Sequence, residues 1–116
     1  AYDVSMPLAR MPAYLDEVRA AFRRSQGDRP LLAFGHLGDG NLHLAASLAS
    51  EHDATAVDAV VYDALRGFGP VTAEHGVGTL KRPWLGHTRS AAEIALMRRL
   101  KAALDPHGIL NPARVL

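Results

Sequence analysis

The feature that most constrains this chain is the segment GHLGDGNLH at residues 35–43, which places an Asp39-Gly40 pair between two apolar stretches. Such a pair is typical of a two-residue hairpin turn, because both turn positions need positive φ. With Asp39 and Gly40 as the turn, antiparallel register predicts that His36 pairs directly with His43. Directly opposed residues point to the same face of a sheet, with Cβ atoms about 5 Å apart. The hairpin therefore predicts two imidazoles that could share one metal ion.

Length and composition limit the classes of function. The 116 residues suit a single domain spanning residues 1–116, and a net charge of +1 argues against nucleic acid or an anionic membrane as the main partner. No apolar segment reaches the roughly 18 residues that a transmembrane helix needs. The chain has no cysteine, which excludes disulfides, iron–sulfur ligands and thiolate nucleophiles. Since that composition is typical of a reducing compartment, we expect a cytoplasmic protein.

The spacing of apolar residues predicts an α+β fold. The first predicted elements are a strand at 2–6, a helix from about 10 to 26 with Pro12 in its first turn, and hairpin strands at 31–37 and 41–48. A second helix is predicted to begin after an N-cap at Asp53 or Thr55 and to end at Gly67. A strand at 71–73 follows, and the last helix begins at the capping box 90–93 and ends at Asp105-Pro106. This β-α-β-β-α-β order with a C-terminal helix is typical of the ferredoxin-like arrangement, an antiparallel sheet with helices on one face. We expect the other face to be open to a partner, unless the last helix or another domain covers it.

The dipeptide Glu74-His75 completes a candidate metal site. Two imidazoles and one carboxylate are a common ligand set for a catalytic zinc or related divalent ion, which keeps one coordination position open. We therefore predict His36, His43 and Glu74 as metal ligands. On a regular strand His75 would face the other way, but a bend at Gly76 would bring it to the site. Histidine titrates near neutral pH, so His75 is the candidate general base.

Simpler interpretations apply to the remaining histidines and to the glycines. A histidine in a turn is most often an exposed or hydrogen-bonded polar residue, and we interpret His52, His87 and His107 in this way. Gly76 and Gly78 do not match a phosphate-binding loop. Their ordinary role is turn geometry, although they would also let a flat ligand approach the backbone. Two other functions stay open at this point, a non-catalytic ferredoxin-like interaction module and an independent metallohydrolase that uses His, His and Glu.

Four motifs extend over nearly the whole chain. They are DVSMPL at residues 3–8, FGHLGDGNLH at 34–43, AEHGVG at 73–78 and LDPHGILNP at 104–112. With these motifs in this order, the chain resembles the C-terminal part of FAD-linked oxidases of the vanillyl-alcohol oxidase type. It is most similar to the group that contains D-lactate dehydrogenase, the glycolate oxidase subunit and D-2-hydroxyglutarate dehydrogenase.

The resemblance implies an FAD-dependent dehydrogenase that oxidises (R)-2-hydroxy acids to 2-oxo acids. It implies that His36, His43 and Glu74 bind zinc or manganese and that His75 accepts the proton of the substrate hydroxyl. It also makes Asn111 a candidate flavin contact. The family binds FAD mainly through an upstream domain, which this chain does not contain. The expected partners are therefore that FAD-binding domain and a small 2-hydroxy acid, with a homodimer also considered, and the isolated chain is expected to be inactive.

One position departs from the family pattern. Members specific for hydroxyglutarate carry a substrate-binding asparagine two residues beyond the second histidine, and this chain has Ala45 there. The departure argues against a diacid substrate. The resemblance therefore leaves the substrate open among lactate, glycolate and related acids.

Overall fold

Three strands and four α-helices make up the chain in a computed structural model, which describes residues 1–48 and 50–116. Within those residues the strands are β1 (Tyr2–Ser5), β2 (Leu31–His36) and β3 (Asn41–Ala46), and the α-helices are α1 (Met11–Gln26), α2 (Ala54–Ala64), α3 (Gly78–Lys81) and α4 (Ala91–Leu104). Short 3₁₀ segments lie at Leu8–Arg10, Leu37–Asp39, Glu51–Asp53 and Arg82–His87. The predicted α+β class is confirmed. No described helix combines the length and apolar character that crossing a membrane requires.

The described strands form one antiparallel sheet in the order β1-β3-β2. Because side chains alternate along a strand, each strand sends apolar residues to one face and the predicted site residues to the other. Val4, Leu42 and Leu44 are fully or almost fully buried on the first face. On the second face Leu32 and Phe34 of β2 are 62% and 58% exposed, so the described residues leave the β2 side of that face open.

Helices α1 and α2 cover the apolar face and pack against each other. Helix α1 begins at Met11 with Pro12 in its first turn. Backbone N–H groups in the first turn have no acceptor within the helix, so the absence of an N–H at Pro12 costs no helical hydrogen bond. Its buried residues, spaced three or four apart, are Met11, Tyr14, Val18 and Phe22. This spacing puts them on one side of the helix, where they meet Val57 and Val61 of α2 in one core cluster.

The β2–β3 loop is longer than the predicted turn. It spans residues 37–40, with Gly40 donating its N–H to the carbonyl of Leu37 at 3.2 Å. The Asp39 carboxylate accepts the N–H of Asn41 at 3.1 Å. Asp39 therefore acts through its side chain in a short 3₁₀ turn, and Gly40 takes the left-handed conformation with φ +73°.

The longer loop changes the register of the hairpin. His36 pairs with Asn41, and His43 pairs with Phe34, so the predicted direct pairing of His36 with His43 was wrong. The difference is a shift of two residues. Since side chains on a strand repeat every two residues, both imidazoles still point to the same face, as diagonal rather than direct neighbours.

Gly40 is a position where alanine should be poorly tolerated. A Cβ there would lie 2.4 Å from the carbonyl oxygen of Met6, in addition to the left-handed φ. We expect Gly40→Ala to lower the free energy of unfolding by about 2–5 kcal/mol, from the conformational cost plus the forced overpacking. Urea unfolding measures this, with Gly38→Ala as the control because a Cβ at Gly38 meets nothing within 4 Å. If both variants lose the same free energy of unfolding, the close approach of Gly40 to Met6 does not restrict this position.

Residues 71–73 do not form the predicted fourth strand. Val71 is buried, and Gly69 approaches the backbone of Ser5, so this part of the chain lies beside β1. The N–H groups of residues 73–75 donate to the side-chain carboxylate of Asp3 instead of to strand carbonyls. The Asp3 side chain thus takes the place of the backbone acceptors that a neighbouring strand would supply. The complete ferredoxin-like arrangement is therefore not formed in the described residues.

Helix α4 begins with the predicted capping box. Ser90 Oγ accepts the N–H of Glu93 at 3.2 Å, and the Glu93 carboxylate accepts the N–H of Ser90 at 2.8 Å. None of the helix's residues is buried. The predicted helical pattern is confirmed, but its apolar residues, Leu96, Leu100 and Leu104 among them, are exposed.

Asp105 connects the end of α4 to the C-terminal segment. Its carboxylate accepts a hydrogen bond from the Lys101 ammonium and the N–H groups of Ile109 and Leu110, which together hold the pKa of Asp105 below its ordinary value. Because the folded pKa is depressed, the carboxylate stabilises this segment above the unfolded pKa of about 3.9. That stabilisation is lost as pH falls through the folded pKa.

We expect Asp105→Asn to remove the hydrogen-exchange protection of the Ile109 and Leu110 amides at neutral pH. The wild-type chain should lose the same protection only below about pH 4. Glu93→Gln, at the opposite end of α4, is the control and should leave both amides protected. Unchanged protection in Asp105→Asn would show that the carboxylate does not hold the segment.

Candidate active site

His43 lies at the centre of the open face. Its side chain is only 12% exposed and is sandwiched between the Phe34 ring, 5.4 Å away, and the His75 ring, 5.5 Å away and stacked at 24°. The His36 ring lies 5.6 Å from the His43 ring at 82°. The sheet and the segment after residue 70 thus bring three histidines together, with His43 held rigidly and His36 and His75 more exposed.

Glu74 joins this cluster. Its Oε1 lies 3.3 Å from His43 Nε2 and 3.4 Å from His75 Nε2. His36, His43 and Glu74 each offer a ligand atom, and these atoms lie within 4.8 Å of one another. Two tetrahedral zinc ligands at bonds of about 2.1 Å would be about 3.4 Å apart, so the His43–Glu74 separation fits a shared ion. The three predicted ligands therefore lie where one divalent ion could contact all of them.

A second set of side chains, Asp3, His43 and His75, is equally close together. Asp3 Oδ2, however, already accepts the N–H groups of Ala73 at 3.1 Å and His75 at 3.0 Å, and the Lys81 ammonium at 3.2 Å. A carboxylate oxygen engaged in this way has little capacity left for a metal. The set that contains Glu74 is therefore the better candidate.

The charge of Asp3 is stabilised although the residue is only 1% exposed. Burial by itself would raise the pKa of Asp3. The N–H groups of His75 and Ala73, the Lys81 ammonium and the Thr72 hydroxyl outweigh burial and hold the pKa well below its ordinary range. Asp3 is therefore a buried carboxylate paired with Lys81, as such groups need to be.

His75 reaches the site through a bend of the chain at Gly76. Gly76 has φ +74°, and because residues 73–75 are not a strand, the side chains of Glu74 and His75 need not point to opposite faces. Both contact the cluster around His43. The structure thus places His75 beside the candidate ligands His43 and Glu74.

The predicted cofactor residues are divided between two cavities. Gly76 and Gly78 line a cavity of about 310 Å³ together with His75 and Arg114. A Cβ at either glycine would meet nothing within 4 Å, so their backbone is open to a ligand. Asn111 lines a neighbouring cavity of about 160 Å³, and Arg114 lines both. The structure therefore brings the two glycines beside His75 and leaves Asn111 in the adjoining cavity.

Sequence reasoning missed three polar residues of this region: Asp3, Lys81 and Asn41. Asp3 pairs with His43 across the sheet, and a lone aspartate in an apolar strand was the available signal. Lys81 follows the glycines and is next to Arg82, and such a basic pair is most often a solvated surface feature. Asn41 is 3% exposed, and its Oδ1 has no hydrogen-bond partner among residues 1–48 and 50–116. No local pattern reveals such an atom, because its surroundings are set by the packing.

Comparison with known proteins agrees with the motifs. Residues 1–115 match the family model of the C-terminal domain of FAD-linked oxidases. The chain is 44% identical to the D-2-hydroxyglutarate dehydrogenase of Xanthomonas citri pv. viticola over 97% of its length, and 42% identical to the mitochondrial D-2-hydroxyglutarate dehydrogenase of Bos taurus over 99%. It spans 26% and 21% of those two proteins. Since the match covers almost every residue, the chain belongs to the family of FAD-linked oxidase C-terminal domains.

Proposed function

We propose that this chain forms the substrate- and metal-binding part of an FAD-dependent dehydrogenase of (R)-2-hydroxy acids. The observation that carries the proposal is the convergence of His36, His43, Glu74 and His75 on the open face of the sheet. Membership of a family of FAD-linked oxidases makes oxidation the expected chemistry. Relatives named D-2-hydroxyglutarate dehydrogenase support a 2-hydroxy acid as the substrate class.

We propose that His36, His43 and Glu74 hold a divalent ion, zinc or manganese. Two imidazole nitrogens and a carboxylate oxygen suit either ion, and the separation of 3.3 Å between His43 and Glu74 fits a shared one. Bound there, the ion would supply Lewis-acid polarisation of the substrate hydroxyl. The protein's contribution is to pack the largely buried ring of His43 against the Phe34 ring, 5.4 Å away, so that one ligand is already placed on the sheet.

We propose that His75 accepts the proton of the substrate hydroxyl. Oxidation of a 2-hydroxy acid breaks the O–H bond and the C2–H bond and forms a C=O bond, so a proton and a hydride must both leave. The flavin, when bound, supplies the acceptor for the hydride. His75 can take the proton because its ring is oriented on one side by stacking on His43 and on the other by Glu74.

We propose that the cofactor approaches from the side of the two cavities. Gly76 and Gly78 offer an open backbone beside His75, and Asn111 lies in the adjoining cavity. The exposed side chains of Leu32 and Phe34 give the same face an apolar border suited to a second domain. The FAD-binding domain of the same protein is the partner that this arrangement favours.

Ala45 bears on which acid is used. It lies on the same strand and face as His43, two residues further on, and opposite Leu32 in the register. A methyl side chain cannot donate a hydrogen bond to a second carboxylate. The proposal therefore stays with the class of 2-hydroxy acids, lactate and glycolate included.

Calorimetric titration of the chain with zinc and with manganese tests the proposed metal site. We expect uptake of one ion per chain, and a loss of affinity of at least about 100-fold in His36→Ala and in His43→Ala, since even outer partners of metal ligands are worth about 10–100-fold. His52→Ala is the control, because His52 is exposed and belongs to neither candidate set. Equal uptake by all four proteins would contradict the metal site and favour a non-catalytic interaction module.

A further inference from the structure

Asp3 is the most heavily engaged side chain near the site, yet the proposed chemistry makes no use of it. Its carboxylate accepts the N–H groups of three consecutive residues, Ala73 at 3.1 Å, Glu74 at 3.2 Å and His75 at 3.0 Å. Convergence of successive backbone N–H groups is a known way to bind an anion. Here the anion is a side chain of the protein itself.

The position of Asp3 is set by the sheet. Asp3 pairs with His43 in the β1–β3 ladder, so the ladder fixes the Cα of Asp3 relative to His43. The carboxylate in turn holds the backbone that carries Glu74 and His75. Strand pairing does not hold that segment, since the predicted fourth strand does not form in the described residues.

Lys81 completes the arrangement. Its ammonium lies 3.2 Å from Asp3 Oδ2 and 3.0 Å from Thr72 Oγ1, and both charged side chains are largely buried. The ion pair compensates the buried charge of Asp3. Because Lys81 ends α3, the pair also joins the far end of the segment 72–81 to β1.

We propose that Asp3 is a positioning residue, assisted by Lys81, which sets the location of Glu74 and His75 relative to His43. Asp3 acts through the backbone of residues 73–75, and its Oδ2 also lies 3.8 Å from Nδ1 of the His75 ring. Its removal should let the separation of 3.3 Å between Glu74 and His43 vary and weaken a shared metal ion. This inference rests on the proposed metal site at His36, His43 and Glu74.

The test compares Asp3→Asn with Val4→Ala in the full chain. Val4 is the next residue, fully buried on the opposite face, so its truncation lowers stability without touching the amides of residues 73–75. Asp3→Asn removes the charge and leaves one neutral, weaker acceptor oxygen for the three N–H groups and the Lys81 ammonium. Each variant is titrated with zinc at a temperature at which circular dichroism shows it folded, and amide hydrogen exchange is followed at residues 73–75.

We expect Asp3→Asn to bind zinc about 10–100-fold more weakly than the wild-type chain, the scale of lost outer partners of metal ligands. The amides of residues 73–75 should lose protection in the same variant. Val4→Ala should keep both the zinc affinity and that protection while unfolding at lower denaturant. If Asp3→Asn does not fold, Lys81→Met should weaken zinc binding and Lys81→Arg, which keeps the charge, should largely restore it.

Two results would overturn the inference in distinguishable ways. In the first result, the wild-type chain binds zinc, and Asp3→Asn (or Lys81→Met in its place) binds zinc as tightly as Val4→Ala does. That result would remove the positioning role and leave the metal site intact. Failure of the wild-type chain to bind zinc would remove the proposed metal site, and the positioning role with it.

Discussion

Replacement of His75 by glutamine is expected to lower the turnover of the proposed FAD-dependent dehydrogenase by about 10²–10⁴-fold, the range that a general base contributes. Glutamine can still form hydrogen bonds but cannot accept the proton of the substrate hydroxyl. Zinc uptake should not change, because His75 is outside the donor set of His36, His43 and Glu74. The expected signature is therefore loss of chemistry without loss of metal.

Single-turnover reduction of the flavin by a 2-hydroxy acid measures this effect, in a protein that joins the chain to the proposed FAD-binding domain. His107→Gln is the matched control, since His107 is exposed and lies in neither candidate set. Parallel loss of zinc uptake and turnover in His75→Gln would assign His75 to the metal instead. Unchanged turnover would contradict its role as the base.

Replacement of Glu74 by glutamine is expected to lower zinc affinity by at least about 100-fold, more than the loss of an outer partner would. The amide keeps the shape of the side chain but loses the charge that a divalent ion requires. The fold should be retained, because Glu74 contacts Asp3 through its backbone N–H and its side chain is partly exposed.

Asp39→Asn is the matched control for Glu74→Gln. The Asp39 carboxylate lies 3.8 Å from His36 Nδ1 and is exposed, which makes it the competing acid at the same histidine. Calorimetry should show little change in the zinc affinity of Asp39→Asn. A larger loss in Asp39→Asn than in Glu74→Gln would move the acidic ligand to the hairpin loop.

The hairpin shows how a correct conclusion can survive a wrong register. The Asp39-Gly40 pair correctly predicted that the chain reverses direction here, but it did not predict the length of the loop. The Asp39 side chain accepts the Asn41 N–H and stabilises a longer loop. The shift was an even number of residues. His36 and His43 therefore kept their common face, whereas a shift by one residue would have separated them.

The segment at residues 71–75 shows the opposite limit. Val71 is buried, as an apolar side chain usually is, but the strand predicted at 71–73 does not form. The apolar pattern could not predict where the amides of residues 73–75 donate. That depended on a carboxylate 70–72 residues earlier in the chain.

The sequence by itself determined the features that depend on neighbours a few positions apart: the amphipathic helix α1, the capping box at Ser90 and Glu93, the hairpin and the family motifs. Only the tertiary structure decided the diagonal placement of His36 and His43, the missing ladder at residues 71–73 and the use of Asp3 to hold Glu74 and His75. The physical reason is that backbone N–H groups take whichever acceptor the packing brings within reach. In this chain that acceptor is a buried side chain on the first strand, which no local pattern specifies.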